Sequence, residues 1–166
     1  MSATGELALY VSQLQQTLEG LCEAIEGLDE AKLNWRPPAL NANSIYVIAT
    51  HILGNAEAWV LGIACGQPVR RDRPAEFVAA GATAEPIVAR ASELARRIEE
   101  ALAGLASAAL GELREAPAQL FGAGQPRPVT VREALMHVVE HASTHIGQIQ
   151  VTRDLALASA EGKSKR

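Results

Sequence analysis

Cysteine, aromatic side chains and basic clusters are all scarce in this chain, and each scarcity closes off a class of protein. Two cysteines, Cys22 and Cys65, are too few for a disulfide framework or a zinc knuckle. Each falls among small and apolar residues of a helical stretch, where a buried free thiol suits a reducing compartment. The six aromatic residues make no stacking stripe. Basic residues are interspersed with acidic ones, and the net charge is −4. That excludes the concentrated basic footprint of a nucleic-acid-binding surface. No uninterrupted apolar run reaches the roughly 20 residues of a membrane span. The start, MSATGELALYVSQ, has neither the basic nor the apolar region of a secretory signal. A cytoplasmic protein is the simplest expectation.

Strand signals are nearly absent, whereas Ala and Leu, both strong helix formers, dominate. Four amphipathic patterns cover most of the 166 residues. The first runs from about Thr4 to Glu26, carries Leu7, Tyr10, Val11, Leu14, Leu18, Leu21 and Ile25 at helical spacing, and ends at Gly27. A link containing Pro37-Pro38 follows, with Leu33 and Trp35 expected to tuck onto the core. The second helix begins at Asn43 or Ser44 as cap and ends near Ala64, before Gly66 and Pro68. Residues 66–83 read as a loop with at most one helical turn. Thr83 is the expected cap of a third helix reaching Leu110, with Glu85 and Pro86 in its first turn. Residues 114–129 are irregular. A capping box, Thr130-Val-Arg-Glu133, opens a fourth helix that reaches about Leu157. The expectation is one all-α domain over residues 1–158, a four-helix bundle with one or two long crossover connections lining a pocket. Residues 159–166 read as a disordered tail.

All four histidines stand at two places. His137, His141 and His145 descend one helix at i, i+4, i+8, and His51 lies on the second helix. Imidazoles four residues apart share a helix face and can turn onto one divalent ion. Neighbours are about 6 Å apart along the axis; His137 and His145, about 12 Å apart, are too far to share metal–nitrogen bonds near 2 Å. The ligand pair is therefore His137 with His141 or His141 with His145. On a helical wheel the apolar stripe holds Val131, Ala134, Leu135, Val138, Ala142, Ile146 and Ile149. His145 lies within it, His141 at its border, and His137 outside it, toward solvent. The wheel favours the second pair. His51 borders its own helix's stripe in the same way, with Ser44, Ala58 and Gly62 along its row, so the two faces can meet. The same spacing also suits a solvated polar strip or a pH-sensitive surface.

Around these faces, Gln148 follows His145 and can hydrogen-bond a ligand nitrogen or a metal-bound water. Asn55 follows His51 by one turn and could act likewise. Glu57 and Glu140 point away from the histidine rows. Arg153 reads as a solvent-facing residue or a helix-dipole partner. Trp35 and Trp59 read as core anchors.

Three segments, LDEAKLNWRPP, NSIYVIATHILGNAEAW and MHVVEHASTHIGQIQVTRD, resemble the DinB-like family of small four-helix bundles, regarded as candidate metalloenzymes. The most specific element is H-x-x-x-H-x-G-Q-I, from His141 to Ile149, paired with the upstream His51. The resemblance implies a divalent metal, nickel or zinc, on His51, His141 and His145. It also implies a homodimer and, in some members, thiol-dependent S-transfer with a low-molecular-weight thiol as co-substrate. A metal-dependent transferase acting on a small molecule is the leading expectation, with no dedicated catalytic residue identified. Gln148 and His137 are candidates for supporting a ligand or moving a proton. A metal-dependent hydrolase is the alternative. A non-catalytic metal- or ligand-binding bundle is the reading from another class. No nucleic-acid or membrane partner is expected.

Overall fold

The computed structural model describes residues 3–117, 120 and 126–164. Four long helices form the bundle: α1 (Ala3–Ile25), α3 (Ile45–Ala56) with its π-helical continuation (Glu57–Ala64), α5 (Glu85–Ala103) and α6 (Val131–Ser164). Two short helices, α2 (Glu30–Asn34) and α4 (Arg73–Glu76), lie in the first two connections. The third connection holds a 3₁₀ turn (Ser107–Gly111), then strand β1 (Leu113–Arg114), which pairs antiparallel with β2 (Val129–Thr130).

The helix starts follow their chemistry. Ser44 caps α3 by accepting from the Val47 amide at 3.3 Å. Thr130 and Glu133 close the expected capping box, with Glu133 accepting from the Thr130 amide at 2.7 Å and Thr130 Oγ1 from the Glu133 amide at 3.1 Å. Gly27 and Gly66, at φ +69° and +68°, follow helix ends in the left-handed region that other residues avoid.

α1 packs on α5 and α6, and α3 with its continuation packs on α6 and α5. Going round the bundle the order is therefore α1, α6, α3, α5. Two of the three connections, α1 to α3 and α5 to α6, cross a diagonal. The α1 residues expected in the core are buried apart from half-buried Val11. The α6 stripe is buried too, apart from half-buried Ile146. Leu33 reaches the core, while Trp35 stays half-buried.

The structure departs from the sequence reading at several places. α3 and its continuation are buried nearly all round rather than along one stripe, because α4 and its loop cover the face away from the bundle. The continuous helical run Ile45–Ala64 is also long and apolar enough, by composition, to cross a membrane. It is 83% buried inside the bundle and carries His51 and Asn55, so it is the core helix. α5 stops at Ala103, with Gly104 as its C-cap, rather than at Leu110, and a 3₁₀ turn takes over. Ala84, not Thr83, stands at its N-cap position; the Thr83 side chain bonds the Glu85 carboxylate instead. α6 continues to Ser164, through most of the tail expected to be disordered; Ala, Glu and Lys favour helix there, and one glycine costs only about 1 kcal/mol. Residues 165 and 166 of that tail, and residues 118–119 and 121–125 of the irregular stretch, lie outside the described residues.

Candidate metal centre

α3 and α6 are neighbours, and their contact brings His51, His141 and His145 together, with one ring nitrogen from each lying within 4.8 Å of the others. His51 is 9% exposed; the other two are half-buried. The ring centroids of His141 and His145 are 4.4 Å apart, and those of His51 lie 5.0 and 5.2 Å from them.

The tautomers follow from the hydrogen bonds. His51 Nδ1 lies 2.8 Å from Glu76 Oε2, and an ionised carboxylate only accepts, so Nδ1 carries the hydrogen and Nε2 the lone pair. His145 Nδ1 likewise donates to Gln148 Oε1 at 2.7 Å, leaving Nε2 bare. His51 Nε2 and His141 Nε2 are 3.2 Å apart. Two nitrogens bound at 2.0–2.1 Å to one tetrahedral ion would sit roughly 3.3–3.4 Å apart. The donor set and its spacing therefore fit a divalent metal. The remaining nitrogen, His141 Nδ1, is buried and has no hydrogen-bond partner in the described structure.

Burial favours the neutral, ligand-competent form of the α6 histidines. Desolvation, with help from the neighbouring His145, His51, His137 and Arg71, pushes the His141 pKa down to about 3. Burial also lowers His145, against the opposing pull of Gln148, and lowers His137.

Glu76 and Arg71 went unread in the sequence. Arg71 Nε donates to Glu76 Oε1 at 2.7 Å and Nη2 to Oε2 at 2.8 Å, a bidentate pair with side chains only 8% and 6% exposed. Arg71 Nη2 also lies 3.3 Å from His51 Nδ1; both are donors, and both direct their hydrogens at Glu76 Oε2. Burial raises the Glu76 pKa, but the hydrogen bonds from His51 and Arg71 and the Arg71 charge outweigh it and hold the carboxyl below its ordinary value. The one local signal was Gly54. A Cβ there would meet Glu76 Oε1 at 2.1 Å, so only glycine lets α4 come this close to α3.

The other weighed residues sort as follows. Gln148 bonds a triad histidine, as expected. His137 does not lean into solvent. It is half-buried, its ring 4.2 Å from Trp59, and its Nε2 accepts from Asn55 Nδ2 at 3.3 Å. The wheel put it outside the apolar stripe correctly, but Trp59, in the π-helical turn, covers it. Trp59 is nevertheless a core residue at 3% exposure. Asn55 serves His137 rather than the triad. Glu57 pairs with Arg90 and Arg97 on α5, and Glu140 is exposed. Arg153 donates to the Glu23 and Ala24 carbonyls, serving the C-terminal end of α1 rather than its own helix. Cys22 and Cys65 are half-buried thiols and line no part of the histidine cavity. That cavity, of about 330 Å³, is bounded by the four histidines, Asn55, Gln148, Arg71, Arg73, Phe77 and apolar residues of α3.

Comparison with known proteins agrees with this architecture. One solved relative is a DinB-like protein from Bacillus cereus ATCC 10987, at TM-score 0.68 and 18% identity over 89% of this chain and 90% of that one. Another is a conserved protein from Enterococcus faecalis, at TM-score 0.69 and 16% identity over 91% and 96%. At such identities the likeness is one of fold. Functionally curated proteins give no match to the sequence. The family model of the DinB superfamily matches residues 13–149, most of the chain and all three clustered histidines, and the chain belongs to that superfamily.

Proposed function

We propose that this protein is a metal-dependent enzyme in which His51, His141 and His145 hold a divalent ion, nickel or zinc, and a thiol is transferred to a small electrophile. The observation that carries this reading is the convergence of three ring nitrogens within 4.8 Å on a cavity of about 330 Å³. Three neutral protein ligands leave coordination room for an exogenous group. Among the described residues the cavity lining has no cysteine, serine, threonine, lysine or carboxylate beside them. The nucleophile must then come from outside the chain, as a thiol or water. A bound divalent metal would lower the pKa of such a nucleophile.

The chain's own residues do the rest. Glu76 and Arg71 fix the His51 ring, and Gln148 fixes the His145 ring. His137, with its ring centroid 5.4 Å from that of His141, would take a proton only on releasing the hydrogen bond that its Nε2 accepts from Asn55. Phe77, 5.2 Å from His51, walls the cavity and limits water.

Metal analysis of untagged protein tests the centre. One equivalent of nickel or zinc is expected in the parent and in His137→Ala, and far less in His51→Ala, His141→Ala and His145→Ala. Equal metal content in all five, or none in the parent after supplementation, would remove the centre. A screen pairing low-molecular-weight thiols with electrophiles, with and without chelator, separates transfer from hydrolysis and from simple binding.

A further inference from the structure

We propose that Arg73 is a carboxylate-binding residue, and that the small molecule held over the histidine triad is an acid. This deepens the metal reading and takes its location from it.

Two arginines border the cavity, and they are not equivalent. Arg71 gives the Nε–Nη2 edge of its guanidinium to Glu76, and that carboxylate balances its charge. Arg73 has no carboxylate and no hydrogen-bond acceptor among the described residues. Its one contact of charge character is the Phe77 ring, with the guanidinium carbon 5.0 Å from the centroid. A ring beneath the guanidinium holds its plane and leaves the N–H edges free. That is the form in which arginine takes a carboxylate through two parallel hydrogen bonds. The same Phe77 ring lies 5.2 Å from His51, so a single residue links this cation to the triad.

The charge balance points the same way. Glu76 is cancelled by Arg71, and among the described residues no acid lines the cavity. The neighbouring acid, Asp72, is turned to cap the Ala75 amide at 3.1 Å. Three neutral imidazoles contribute no negative charge. A cation on the triad and the Arg73 charge would both face the cavity without a counter-anion, and a small molecule carrying a carboxylate supplies one.

The test uses the full chain, nickel-loaded with its metal content measured first, and the same chain metal-free. Calorimetry on the loaded chain compares 3-mercaptopropionate with 2-mercaptoethanol, which share the sulfur and differ in the acid. On the metal-free chain, glutarate is compared with glutaramide. The expected preference for the acid is about tenfold or more, the scale of one charge-assisted hydrogen-bonded pair. Arg73→Gln should erase the preference in both arms and leave 2-mercaptoethanol binding and metal content unchanged. Arg73→Lys should keep part of it, since charge remains but the fork is lost. The Arg73 Nε–H resonance of the unaltered protein should shift on adding glutarate, which needs no variant. Equal affinity for acid and neutral probes in both arms, or a preference that survives Arg73→Gln, overturns the proposal. Absence of nickel binding would instead overturn the metal reading, and the glutarate arm would still decide Arg73.

Discussion

Glu76 sets the orientation of the site, although it is no part of the triad. An ionised carboxylate sealed beside Arg71 obliges His51 to present Nε2 to the cavity. Glu76→Gln keeps the shape but removes the charge, leaving the Arg71 guanidinium buried without a counter-charge. Breaking a buried pair in this way costs about 3–5 kcal/mol, which urea unfolding would read. Metal affinity, measured by competition with a chelator, should fall about 10–100-fold as the His51 ring loses its anchor. Replacing both partners, as Arg71→Met with Glu76→Leu, should recover much of the stability but not the affinity. The cysteines behave differently. Burial pushes the Cys65 thiol up to about 11 and also raises Cys22. A folded-state pKa above the unfolded value near 9 means the folded form holds its proton longer. The Cys65 contribution to stability is therefore whole below pH 9 and is lost as pH climbs from 9 toward 11. The melting temperature of the parent should fall more than that of Cys65→Ala over that window, and the thiol should resist alkylation at pH 8. At this scale the sequence showed the histidines because their partners repeat every four residues along one helix. It hid Glu76, whose partner His51 is twenty-five positions away on a separate element.

At the scale of elements, local chemistry and packing compete. Gly54 sits inside α3, where alanine would favour the helix by about 1 kcal/mol. The added methyl would strike Glu76 Oε1 at 2.1 Å and Cδ at 2.9 Å, and that carboxylate cannot swing aside without leaving Arg71 and His51. Overpacking wins, and Gly54→Ala should lose about 1–3 kcal/mol in thermal or urea unfolding. Metal affinity should weaken with it. The continuation of α3 shows the same competition. Its hydrogen bonds shift to i→i+5, as in Cys65 N to Val60 O at 3.0 Å, and its Trp59 packs on His137. A wheel stepping at a constant 100° cannot anticipate such a phase change. Caps were more legible. Ser44 and Thr130 act through amides three residues away, so no distant contact is needed to recognise them.

At the scale of the whole molecule, the proposed homodimer is open to direct measurement. Light scattering on the eluting protein should give twice the 17.6 kDa chain mass, and a value equal to the chain mass would remove the dimer. An interface needs an exposed apolar face, and on α1 and α5 the described large apolar side chains Leu9 and Val88 are exposed singly. α6 exposes more, including Val151 and Leu155 one turn apart. The sequence by itself determined the four helical segments, the buried stripes of α1 and α6 and a preference for His141 with His145 over His137 with His141, because all of these depend on a periodicity of 3.6 residues along one segment. Only the tertiary structure decided which helices stand side by side. The two diagonal crossings set α3 against α6 and so bring His51 to the pair. It also decided that α4, in the connection between α3 and α5, supplies the buried carboxylate and an arginine with no ion-pair partner among the described residues. Such contacts join residues whose separation along the chain carries no period, and they exist only where burial and charge pairing in the folded protein stabilise them.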